Sequence, residues 1–132
     1  MFIDNMINQS GAPLLEQVLQ FTAARHKLIA ENMANIDVPG YLQKDLDIHR
    51  FQEMLSSAVE NGQTGLAADD FDRITNDVQN PTNSILFHDG NNRSIEQLAS
   101  DQAKNALMHN LVIELLRDQY QGLNMALAEK VS

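Results

Sequence analysis

Apolar side chains recur at Leu14, Leu15, Val18, Leu19, Ile29, Met33 and Ile36, close to the helical period, and predict a helix over residues 13–36. Pro13 suits a first turn, and Glu16 lies near the positive end of the helix dipole. Pro39 disfavours helical backbone at Val38, and Gly40 follows with a free φ, so residues 37–46 are expected to hold a sharp turn and a connecting segment. A shorter helix is predicted over 47–61, with Asp47 as its cap, Phe51, Met54, Leu55, Ala58 and Val59 as one stripe, and Gly62 as its stop. Residues 62–93 lose the period. Gly62, Gly65, Pro81 and Gly90 interrupt them, and Glu60, Asp69, Asp70, Asp72 and Asp77 face only Arg73 over 60–80. A long acidic surface loop is expected there, with one short strand near Ile85–Phe87. A loop of that length is more natural in a chain that orders on assembly. With so little to bury, shortening residues 66–80 is expected to leave assembly intact. Residues 94–130 read as one long helix, opened by a capping box of Ser94 and Gln97 and supported by the pairs Asp101/Lys104 and Glu114/Arg117.

That last helix carries more apolar surface than one partner covers. One stripe runs through Ile95, Leu98, Ala99, Gln102, Ala106, His109, Ile113, Leu116, Tyr120, Leu123 and Leu127. A second runs through Leu107, Leu111 and Leu115, with Met108 and Val112 between the two. A helix that is apolar nearly all round is surrounded in its working state. A self-contained three-helix bundle is one solution; cover by other chains is the one favoured here, with Leu107, Leu111, Leu115, Val112 and Asn105 as the assembly interface. Polar residues within the helices fit two readings. Asn32 and Asn35, and likewise Gln102 and Asn105, are either solvated amides or buried ones that fix register between packed helices. The expected fold is all-α in a single domain over residues 1–132: two long terminal helices forming a coiled-coil-like pair, one short helix, and a long, partly ordered acidic loop.

Composition narrows the function. The chain has 132 residues, 43% of them apolar but only 5% aromatic, with no Trp, so a core of Leu, Ile, Val, Met and Ala is expected. A net charge of −9 with nine scattered Lys and Arg argues against nucleic acid and against direct lipid binding. The absence of Cys excludes disulfides, thiolate nucleophiles and Cys-based metal sites. No apolar run is long enough for a membrane span, and the first residues lack the pattern of a secretory signal, so export without a cleaved signal peptide is expected.

Candidate chemistry is thin. His26, His49, His88 and His109 fall in no metal-binding spacing, and His109 lies on the apolar seam of the long helix. No Glu-x-x-His pair of the di-metal bundles is present. Asp69, Asp70 and Asp72 lack the Gly and the terminal Glu of a calcium loop. No nucleophile elbow or Gly-rich phosphate loop occurs. No catalytic residue, metal ligand or cofactor is assigned, and the protein is not expected to be an enzyme.

The stretch Glu31-Asn32-Met33-Ala34-Asn35-Ile36-Asp37-Val38-Pro39-Gly40-Tyr41 resembles the N-terminal signature of the bacterial flagellar axial proteins, the family of rod, hook and hook-associated subunits. Asn32, Ala34, Asn35, Pro39, Gly40 and Tyr41 carry the match; Val38 departs from it, since the family commonly has Thr there. Asp89-Gly90-Asn91, then Ala103-Lys104-Asn105-Ala106-Leu107 and the apolar run to Leu127, are similar to the C-terminal helix of the short rod members. Longer relatives insert β domains between the terminal helices. Of the two sister rod proteins of this length, one commonly carries Tyr-Gln-Ala-Asn on this helix where Met108-His109-Asn110-Leu111 stands here, and the chain fits it less well. The resemblance covers roughly residues 13–60 and 89–130. It implies a structural subunit of the basal-body rod, located in the periplasmic part of the flagellum and exported through the flagellar type III apparatus. It also implies a coiled-coil layer of terminal helices and partners among the other rod proteins, further copies of the chain and the junction of membrane ring and export gate. A soluble helical adaptor or chaperone that binds one partner helix is the alternative from another class.

Overall fold

A computed structural model describes residues 11–80 and 95–131. Among them lie four helices and one small sheet: α1 (Ala12–Ala34), β1 (Asp45–Leu46), α2 (Ile48–Glu60), α3 (Ala68–Asn76), β2 (Val78–Gln79) and α4 (Ile95–Val131). The fold is mostly helical, with the two long helices where periodicity placed them. The strand expected near Ile85–Phe87 and the Ser94 half of the capping box lie outside the described residues.

Local sequence accounts for the boundaries. Pro13 occupies the first turn of α1. That helix stops at Ala34, two residues early, because Asn35 begins the descent into the Pro-Gly turn, its amide bonded back to Glu31 and Asn32 carbonyls. Asp47 caps α2 by accepting from the Arg50 amide at 3.0 Å. At the other end, the Gly62 amide reaches Val59 O at 3.1 Å and the Gln63 amide reaches Ala58 O at 2.8 Å. This closure needs the left-handed φ of +71° that Gly62 supplies.

The segment expected as loop carries α3. Its sequence is short and acidic, yet Phe71 and Ile74 fall one turn apart on the same side and both are buried. Asp69 and Asp70 sit in the first turn, where the dipole favours them, and Arg73 in the last. Shortening residues 66–80 would therefore remove core, contrary to the expectation from polarity alone. β2 then pairs antiparallel with β1, Asp45 opposite Gln79 and Leu46 opposite Val78.

The core also departs from the aliphatic mixture that composition suggested. Phe21 of α1 stacks on Phe51 of α2 with ring centroids 3.9 Å apart, and Phe71 of α3 leans against Phe51 at 6.3 Å. Leu46 and Ile74 complete this cluster. Few aromatics are present, but the three phenylalanines among the described residues meet where α1, α2 and α3 come together.

The opposite face of α1 packs along α4, the two helices running antiparallel. Positions facing α1 on α4 include Leu98, Gln102, Asn105, His109, Val112, Leu116, Gln119 and Leu123, all buried or half-buried and spaced alternately by four and three. This is the seven-residue repeat of a coiled-coil seam. Ala12, Val112 and Leu116 form a buried apolar cluster along it, with Leu15, Val18 and Leu19 against them.

Candidate assembly interface

The motif residues divide into those that hold the chain together and those that face outward. Asn32 is buried on α1, and its side chain binds both backbone groups of Lys44: Nδ2 donates to Lys44 O at 2.7 Å, and Lys44 N donates to Oδ1 at 2.9 Å. The amide thus acts as a strand partner for the segment returning from the turn. Two turns earlier on α1, Arg25 donates to both carboxylate oxygens of Asp45, at 3.0 and 3.1 Å, within a buried pair. Such forked pairing fixes direction as well as position. Asn35 serves its own helix, Nδ2 donating to Glu31 O at 2.8 Å. Consecutive bonds from Val38 N to Asn35 O and from Tyr41 N to Val38 O draw the turn, with Gly40 at φ +76°. Tyr41 is half-buried, whereas Ala34, Val38, Pro39, Gly40 and Leu42 are exposed. The buried-amide reading thus applies to Asn32, although it fixes a connecting segment and not a helix register.

A second clasp of the same kind was not legible in the sequence. Gln17 Nε2 donates to Leu66 O at 2.8 Å, and Leu66 N donates to Gln17 Oε1 at 2.7 Å. The approach is close: a Cβ on Gly65 would lie 2.8 Å from Gln17 Oε1, so a larger residue there would push on the clasped amide. Nothing in the spacing of a lone Gln on a helix distinguishes it from a solvated one.

Polar side chains also set the register of the α1–α4 seam. Asn105 Nδ2 donates to Thr22 O at 2.8 Å in a buried setting, and Gln102 Nε2 reaches His26 O at 3.4 Å. Thr22 Oγ1 donates to Leu19 O at 2.9 Å and lies 2.7 Å from His109 Nδ1. Toward the far end, the Tyr120 hydroxyl donates to the Glu16 carboxylate. That hydrogen bond, with smaller contributions from burial and the carboxylate's charge, holds the Tyr120 phenol above its ordinary pKa.

Of the five residues expected at the assembly interface, the structure separates two from three. Asn105 and Val112 are each 3% exposed and belong to the seam within this chain. The reason is angular: both fall in line with Leu98 and Leu116 in the seven-residue repeat, not with the outer leucines. Leu107, Leu111 and Leu115 remain 71, 54 and 42% exposed, and Met108 beside them 45%. They form an apolar ridge about two turns long on the middle of α4. Among the described residues no helix is long and apolar enough to cross a membrane. Among those residues, too, no group of three or more His, Asp or Glu side chains is gathered as for a metal ion.

No family model matches the chain. Whole-chain similarity is nonetheless present. The flagellar basal body rod protein FlgB of Yersinia enterocolitica is 27% identical over 127 residues, covering 86% of this chain and 90% of its own. FlgB of Salmonella typhimurium is 25% identical over 118 residues, covering 82% and 86%, and FlgB of Bacillus subtilis 24% over 115 residues, covering 86% and 89%. The resemblance read from the turn motif thus extends along most of the chain, and across distant bacteria.

Proposed function

We propose, from the premise that this chain is one of the FlgB-like flagellar rod proteins, that it is a structural subunit of the basal-body rod that performs no chemistry. The observation that carries the assembly reading is the exposed ridge of Leu107, Met108, Leu111 and Leu115, which stands out while the seam behind it is closed. Full burial of one such side chain is worth about 1.5–3 kcal/mol, so a neighbouring chain laid over the ridge gains several kcal/mol before the costs of association. In this reading, the α1–α4 pair forms a coiled-coil layer, further copies and other rod proteins complete it, and the stack transmits torque as part of the proximal rod. Rigidity follows from shared cores, because bending the rod would open buried contacts between chains. The working site is the periplasmic rod, above the junction of membrane ring and export gate, reached by type III export without a cleaved signal.

Leu111→Gln tests this. The isolated chain is expected to keep its stability, since Leu111 is already exposed. In cells the variant is expected to be made and exported while basal-body yield and motility collapse; Asp118→Gln is the solvent-facing control. Normal basal bodies with Leu111→Gln would show that the ridge is not an interface. A helical adaptor would instead keep basal bodies intact and lose one soluble partner.

A further inference from the structure

We infer that the free chain pairs with a second copy of itself, antiparallel, through the outer face of α4, with the two-fold axis beside Leu111. That face is longer than the leucine ridge. Lys104, Leu111 and Asp118 follow one another at seven-residue intervals, and each interval returns to within about 20° of the same side of a helix. All three are exposed, and Leu107, Met108 and Leu115 lie between them. The two charges stand about 10 Å on either side of Leu111 at the helical rise, positive toward the start of α4 and negative toward its end. Among the described residues neither Lys104 nor Asp118 forms an ion pair within the chain.

This spacing points to the partner. When a second α4 is turned end over end about Leu111, facing residues are those equally far from it on either side. Leu111 then meets its own copy, Leu107 of each chain meets Leu115 of the other, and Lys104 of each meets Asp118 of the other. A parallel pair would set Lys104 against Lys104 and Asp118 against Asp118, so the charges select the antiparallel one. Local charge also permits the approach. The chain carries −9 overall, yet the charged residues from Ala103 to Asp118 are Lys104, Glu114, Arg117 and Asp118, which cancel. Beyond the ion pairs, Ser100 and Gly122 come opposite each other. A Cβ at Gly122 would meet nothing within 4 Å, so no described contact calls for glycine in mid-helix, where it is disfavoured; a second helix passing close gives it a use. The pair goes beyond the rod reading, which draws on neither Lys104 nor Asp118. Where that reading holds, the pair covers the ridge before assembly and opens as a subunit is added, because a two-fold contact closes on itself and a rod cannot be extended through it.

The test is sedimentation equilibrium of the full chain from roughly 10 µM to 1 mM, since a face of this length lies at the small end of protein interfaces. A monomer–dimer equilibrium is expected, and Leu111→Gln should abolish it. Asp118→Lys and Lys104→Asp each place like charges at both ends of the pair, and each should raise Kd about tenfold to thirtyfold. The double variant Lys104→Asp/Asp118→Lys exchanges the charges and should restore the wild-type Kd. Mixing the two single variants should likewise restore association. All these positions are exposed, so helix content by circular dichroism should not change. A wild-type chain that stays monomeric throughout, association that survives Leu111→Gln, single variants that pair as the wild type does, or a double variant as weak as the single ones would overturn the assignment. Failure of the rod reading would appear instead as normal basal bodies with Leu111→Gln, a result that leaves these dissociation constants untouched.

Discussion

Replacing Asn32 by Ala removes a side chain that serves both backbone groups of Lys44 at once. The loss is larger than one ordinary hydrogen bond, because the Lys44 amide and carbonyl are left in a part-buried setting without partners. An unsatisfied group of this kind costs about 1–3 kcal/mol, so the pair amounts to roughly 2–4 kcal/mol once partial access of water is allowed for. Asn35→Ala is the internal comparison. It gives up one bond to the carbonyl of Glu31 in its own last turn, worth about 0.5–1.5 kcal/mol. Asn32→Asp keeps the acceptor for the Lys44 amide but sets a carboxylate oxygen against the Lys44 carbonyl, and should be at least as damaging as Ala. Urea denaturation followed by circular dichroism reads these differences. With a slope of about 1–1.5 kcal/mol per molar for a chain of this size, Asn32→Ala should lower the midpoint by roughly 2 M and Asn35→Ala by less than about 1 M. Equal shifts for the two variants would refute the view that Asn32 is a clasp and Asn35 a local cap.

Two further outcomes follow from the same contacts. The Tyr120 phenol has its folded pKa raised by Glu16, so this contact contributes stability below the ordinary phenol range near pH 10 and loses it as pH rises through the folded value; in a Tyr41→Phe background, Glu16→Ala should move the ultraviolet titration of Tyr120 downward, and an unmoved curve would count against the bond. Phe71→Ala should destabilise the chain by about 3–5 kcal/mol in the same urea assay, because its ring closes the Phe21–Phe51 stack; a loss under about 1 kcal/mol would mean that α3 lies on the core without completing it.

The two long helices and the capped short one were legible because each repeats one physical signal many times. Leu98, Val112 and Leu116 recur along α4, Asp47 precedes a clear stripe, and Pro39-Gly40 permits no helix. Helix α3 was not legible, since nine residues with two apolar anchors among three aspartates carry too few repeats to register as a period. Its stability comes from Phe51 on another helix, and contacts of that kind are absent from any local window. The clasps failed for a related reason. Asn32 stood out through the family motif, but Gln17 carries the same chemistry with no motif around it, and only the approach of Leu66 and Gly65 reveals its role. The division of the interface residues is set by angle around the helix and not by residue type. Leu111 and Val112 are adjacent and equally apolar, and one step of about 100° around the helix separates the open ridge from the closed seam.

The distribution of side chains on α4 bears on what the chain is built to do. Its inward face includes Gln102, Asn105 and His109, joined through Thr22 and His26 to α1, while Leu107, Leu111 and Leu115 point outward. Exchanging the two sets would give a more stable isolated helix pair, since apolar seams outperform amide-containing ones in stability and lose to them in specifying register. The observed arrangement favours register within the subunit and leaves burial energy to be released against something else. A rod built by stacking subunits makes both demands: each must present its ridge at a fixed height before it meets a neighbour, and each must gain by meeting one. In the proposed assembly Asn105 sets that height through a hydrogen bond made before docking, and Leu111 contributes its burial only after it.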